Sequence, residues 1–147
     1  MTKSALLDKI YADEFLNAYI EAALWSSTTM EDQVINDEEV PEGTSLDDAY
    51  FFDDIQYASL KYLVDYAEDW LYSDDVQMAL ASLGDYDEGQ LGHDLWLTAA
   101  GHGAGFWDGD WPEPEASVLD ETSRAYGAEL YDANGKVYVF GGENYKG

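Results

Sequence analysis

The sequence predicts an α+β fold, a helical body carrying a small antiparallel β-hairpin or sheet at its C-terminal end. Three observations lead there. Apolar residues recur at three- and four-residue steps through residues 4–24 and again through residues 59–71, the spacing that lines one face of a helix. Near the end, Asn134-Gly135 joins two short alternating apolar runs, the strongest short-range signal for a two-residue hairpin turn. The 147 residues contain no internal repeat, so residues 1–147 are expected to form a single domain, long enough to bury a core.

Taken in order, residues 4–24 are expected as one amphipathic helix with Leu6, Leu7, Ile10, Tyr11, Phe15, Tyr19, Ile20, Ala23 and Leu24 inward, closed by Ser26, Ser27, Thr28 and Thr29. Residues 30–54 carry ten acids, with Pro41 and Gly43 interrupting any period. They are expected as a long acidic connection with at most one short helical turn, pinned to the core by Tyr50, Phe51 and Phe52. A second helix spans residues 59–71, with Leu60, Leu63, Val64, Ala67, Trp70 and Leu71 on its apolar side. Ser73 then reads as an N-cap, with Asp74 and Asp75 in a first turn where carboxylates favour the helix dipole. This third helix, residues 76–83, stops at Gly84.

A fourth helix over residues 87–98 would bury Leu91, Leu95 and Trp96, though Gly89 and Gly92 count against it. Gly101, Gly103 and Gly105 end it in a glycine-rich loop. Pro112 and Pro114 mark a turn, residues 116–126 a short helix, and residues 129–133 and 136–140 the hairpin. In that hairpin Val137 and Val139 face one side, Tyr138 and Phe140 the other.

Charge is the outlier of the composition. Thirty-two acids against six bases leave a net charge of −26. Thirteen acids and no base lie between Lys9 and Lys61, and fifteen acids and no base between Lys61 and Arg124. Self-repulsion on this scale opposes compaction. It also excludes nucleic acid and an anionic membrane as direct partners. No cysteine is present, which rules out disulfides, thiolate metal sites and a cysteine nucleophile. No apolar run suits a signal peptide or a membrane span, so the expected setting is a soluble protein of the cytoplasm.

The segment from Gly92 to Asp108 holds both histidines and two of the five tryptophans. Within it, Gly92-His93-Asp94-Leu95-Trp96-Leu97-Thr98 followed by Gly101-His102-Gly103-Ala104-Gly105-Phe106-Trp107-Asp108 resembles a family of small acidic proteins encoded by bacteriophages and related mobile elements. The first helix from Tyr11 to Leu24 and the final hairpin resemble that family too. Residues 30–54 look more variable. Ala99-Ala100 departs from the Arg-Asn expected there, removing a base beside the loop. The resemblance implies a phage setting, and hence the host cell cytoplasm, but no particular reaction.

Two kinds of chemistry remain open. His93, Asp94, His102 and Asp108 could supply nitrogen and carboxylate ligands to zinc or iron, making a metal- or cofactor-dependent enzyme. Their spacing matches no metal motif. The plainer reading has His93 packing or capping, with Asp94 and Asp108 accepting from loop amides. The glycines lack the lysine and hydroxyl of a phosphate loop. Asp85-Tyr86-Asp87 and Asp108-Gly109-Asp110 lack the later positions of a calcium loop. The tryptophans, without a basic groove to hold nucleic acid, read as core and interface anchors.

The charge itself points to a non-enzymatic mimic of DNA that takes no cofactor and occupies the groove of a basic host nucleic-acid-binding protein, such as a restriction enzyme or nuclease. The paired acids Asp37, Glu38, Glu39, Asp47, Asp48, Asp53, Asp54, Asp74 and Asp75 are the candidates for that contact, and a homodimer would lengthen the charge array. Adaptation of a phage accessory protein to high salt is the remaining alternative.

Overall fold

Thr2 starts the chain's first helix by accepting a hydrogen bond from the Ala5 amide at 3.1 Å. In the computed structural model, which describes residues 1–102 and 104–147, this helix is α1 (Lys3–Tyr11), with Leu6 and Ile10 buried. It stops well short of residue 24. Asp13 leaves helical geometry, and its carboxylate accepts from the Leu16 amide at 3.0 Å, capping a separate α2 (Glu14–Ser26). The apolar spacing runs across the junction unbroken and so reads as one helix. The break is marked only by a capping aspartate and by Glu14 in the first turn that follows.

Residues 30–54 correct the expectation of an irregular connection. They form an antiparallel hairpin, β1 (Gln33–Ile35) with β2 (Glu38–Val40), in which Val34 faces Glu39. Asn36 and Asp37 make its turn at φ 51° and 66°, the left-handed geometry that hairpin turns demand and that Asn and Asp tolerate. The glutamates at the start of β2 hide the two-residue alternation that would have marked a strand. After the hairpin come α3 (Leu46–Ala49) and a 3₁₀ turn over Phe52–Asp54. Amides of Thr29 and Leu46 donate to the carbonyls of Thr44 and Ser27, closing the excursion at its base. Of the three aromatics expected to pin it, Tyr50 is buried and Phe52 stacks on Tyr11 with ring centres 5.3 Å apart, but Phe51 points outward.

The remaining helices follow the periodicity closely. α4 (Tyr57–Leu71) buries Leu60, Leu63, Val64, Ala67 and Trp70. α5 (Asp74–Leu83) begins with Asp74 and Asp75 and ends at Gly84. Ser73 sits at its N-cap position, yet its hydroxyl donates to the Trp70 carbonyl instead of accepting from the helix. α6 (Glu88–Ala100) is capped by Asp87, which accepts from the Gln90 amide at 3.0 Å. α7 (Glu115–Ser123) runs into a 3₁₀ turn, Arg124–Tyr126.

The chain ends in β3 (Leu130–Ala133) and β4 (Lys136–Val139), paired antiparallel across Asn134-Gly135. Val137 and Val139 are buried while Phe140 is exposed, as the alternation requires. β4 is held to the start of α4: the Gln56 amide donates to the Val137 carbonyl, and the Val139 amide donates to Ser59 Oγ.

The body is built on the packing of α2 against α6, with α7 on α5 and α6, and α4 against β4. A file of aromatic rings crosses its centre. Phe15 stacks on Trp70, Trp70 on Phe106, and Phe106 meets Trp111 edge to face. No helix among the described residues is long and apolar enough to cross a membrane.

Candidate functional site

The acids singled out by pairing lie on short elements whose local rules favour carboxylates. Asp37 occupies the β1–β2 turn and Glu38 and Glu39 lie on β2. Asp47 and Asp48 open α3, Asp53 and Asp54 the 3₁₀ turn, and Asp74 and Asp75 open α5. First-turn carboxylates face the amide end of the helix dipole, which offsets part of their mutual repulsion. Eight of the nine are exposed; Asp54 is half-buried and accepts from the Phe51 amide at 2.8 Å. Seven lie on the single stretch of residues 37–54. Asp74 and Asp75 belong to α5, whose main packing partner is α7.

The bases are largely committed elsewhere. Lys9 pairs with Glu68, Lys61 with Asp65 and Arg124 with Asp120, each at 2.9 Å. None of these partners belongs to the nine. Lys3 donates to the backbone carbonyl of Asp53. Such surface pairs add about 0–1 kcal/mol each to stability and draw three of the six bases away from the paired acids, whereas Lys3 stays beside Asp53 and Asp54.

Within the histidine–glycine block, hydrogen bonds centre on Asp94. Asp94 on α6 is only 2% exposed. Its Oδ2 accepts from Trp111 Nε1 at 2.7 Å and from Gln90 Nε2 at 2.8 Å, and His93 Nδ1 lies 3.3 Å from its Oδ1. Beyond the helix, Thr98 Oγ1 accepts from the Phe106 amide and Asp108 accepts from the Gly105 amide at 3.3 Å. Gly105 has φ 136°, and a Cβ there would fall 2.0 Å from Thr98 Oγ1. The glycine is therefore required where the chain turns Phe106 into the core.

His102 is exposed. Gly103, part of the expected glycine loop, lies outside the described residues. Among the described residues no three His, Asp or Glu side chains converge to hold a metal ion. Asp110, exposed beside Asp108, has its carboxyl pushed up by that neighbouring charge.

The arrangement around Asp94 makes a simple prediction. Asp94→Asn keeps an acceptor for Trp111 but loses a charge-assisted bond, and should lower stability by about 1–2 kcal/mol. His102→Ala should leave it within about 0.5 kcal/mol of the parent. Urea unfolding followed by tryptophan fluorescence measures both.

Composition alone missed one feature. Trp25, read with the other tryptophans as an anchor, is 56% exposed. Trp107 is exposed as well, whereas Trp70, Trp96 and Trp111 are buried and donate to Thr122, Ser26 and Asp94. Trp25 borders a groove of about 520 Å³ between α2 and α6. Its neighbours Ala18, Glu21 and Ala22 recur at helical spacing, but that pattern does not distinguish an open face from a packed one.

Compared with known proteins, the chain matches no family model, no curated protein and no solved structure.

Proposed function

We propose that this chain is a phage-type, non-enzymatic mimic of DNA that captures a basic nucleic-acid-binding protein, such as a restriction enzyme or nuclease, by filling its groove. The observation that carries this reading is the outward exposure of eight of the nine paired acids at residues 37–54 and 74–75, with three of the six bases committed to other carboxylates. Duplex DNA carries about one charge per 1.7 Å of axis, so the net charge of −26 corresponds to about 44 Å of duplex. A compact chain of this length has a radius of gyration near ~15 Å, a comparable reach. The advantage of such a surface is rapid, sequence-independent capture of a cationic groove.

The test is charge reversal in the exposed pairs. Changing Asp47, Asp48, Asp53 and Asp54 to lysine moves the net charge by eight, from −26 to −18. Binding to a DNA-binding protein captured at about 50 mM salt and released at about 500 mM should weaken roughly tenfold or more. Duplex DNA should compete for the same protein. Unchanged affinity across the four reversals would overturn the reading. Unfolding of the parent at low salt would instead favour salt adaptation as the origin of the charge.

A further inference from the structure

We infer that the groove between α2 and α6 is the docking site for an arginine side chain of the basic partner. This rests on the reading of the chain as an acidic mimic and names the chemistry that one part of its surface recognises. The walls are two helical faces: Glu21 and Trp25 lie one turn apart on α2, and Gly89 and His93 one turn apart on α6. Asp47 of α3 and Asp87, the cap of α6, complete the rim. Three carboxylates from three parts of the chain thus border an open aromatic face, and among the described residues no lysine or arginine lines the groove.

Trp25 is the observation that sets this groove apart from the general acidity. A tryptophan more than half exposed leaves a large apolar face in water, and here the ring stands beside the His93 ring with centres 6.1 Å apart. Gly89 keeps the space beneath open, since a Cβ on it would meet Asp87 Oδ1 at 3.2 Å and the Ala18 Cβ at 4.0 Å.

A flat cation satisfies both parts of the site. The guanidinium group stacks on an indole face and forks its N–H groups toward carboxylates, whereas an ammonium is a compact, strongly hydrated point charge. Glu21 makes no side-chain hydrogen bond among the described residues, and Asp47 accepts only from Ser45, so both keep acceptor capacity for a ligand. In a DNA mimic this groove would engage an arginine that otherwise contacts phosphate.

Hexa-arginine and hexa-lysine peptides test the inference on ¹⁵N-labelled protein at about 0.15 M salt. They are equal in charge and differ in the shape of the cation. Three of the five indole N–H groups are committed inside the fold, which leaves Trp25 and Trp107 as the free reporters, told apart by Trp25→Leu. Hexa-arginine should shift the Trp25 signal and bind about fivefold more tightly than hexa-lysine. Trp25→Leu should abolish that preference, Trp25→Phe should retain part of it, and Glu21→Gln should reduce it. All three replacements fall at exposed positions and leave the nine paired acids in place.

Equal binding of the two peptides with the Trp25 signal unmoved would overturn the groove assignment while leaving acidic mimicry standing. Binding of neither peptide would overturn both.

Discussion

Gly92→Ala should lower the stability of the fold by about 3 kcal/mol, although alanine normally gains about 1 kcal/mol over glycine inside a helix. The reversal comes from the α2–α6 contact. A Cβ on Gly92 would lie 2.1 Å from the Phe15 carbonyl oxygen and 3.1 Å from the Tyr19 amide nitrogen. These are backbone atoms of a packed helix and cannot rotate aside, so α2 and α6 must separate along the pairing that organises the body. Phe15, Tyr19 and Trp96, all buried near this contact, would lose packing together. Gly89→Ala, one turn earlier on α6, is the control. Its Cβ would meet only side-chain atoms, at 3.2 Å and beyond, and its stability should change by less than about 1 kcal/mol. Urea midpoints of the two variants against the parent decide the matter, and a stabilised Gly92→Ala would rule out so close a helix approach.

Asp132→Ala should cost about 3–4 kcal/mol and loosen the first hairpin before the rest of the fold. Asp132 lies on β3 and is 6% exposed. Its carboxylate accepts from the Met30 amide, the Gln33 side chain and the Tyr50 hydroxyl. One buried charge thereby joins the β1–β2 hairpin and the α3 region to the C-terminal hairpin, and its loss leaves three donors without an acceptor. Hydrogen exchange should show the Met30 and Ile35 amides losing protection first, and unfolding by denaturant gives the total. A cost under about 1 kcal/mol would mean that water replaces the carboxylate freely.

The same contact carries a pH signature. Burial, and then the bond to Asp132, push the Tyr50 hydroxyl above its ordinary value of 10.0. Because the folded value is raised, the stability it contributes is complete below the unfolded value. That contribution declines as pH climbs beyond it, and Asp132→Ala should make the alkaline decline shallower.

Much of the candidate surface was legible because charge is counted, not folded. The paired acids and the base-free stretches are visible in the chain, and so is the preference of Asp74 and Asp75 for a helix start. Their exposure, and the pairing of Lys9 and Arg124 with other carboxylates, depend on which faces the elements turn outward. The histidine–glycine block shows the opposite case. Its unusual composition suggests chemistry, but Asp94 finds its partner in Trp111, seventeen residues on, and Gly105 serves a tight turn into the core. Trp25 could not be told from the buried tryptophans because residue type reports how much surface a side chain carries, not what covers it.

The sequence by itself determined the α+β class, the four longest helices in outline and the C-terminal hairpin. These follow from periodicity and turn chemistry, which act over a few residues. The break at Asp13 rests on one local capping side chain, and tertiary structure decided the hairpin hidden among acids at residues 33–40, the need for Gly92 and the open groove beside Trp25. Each depends on a contact between residues distant in the chain or on a cap whose signal is one side chain, and no local pattern records which distant surface will arrive to complete it.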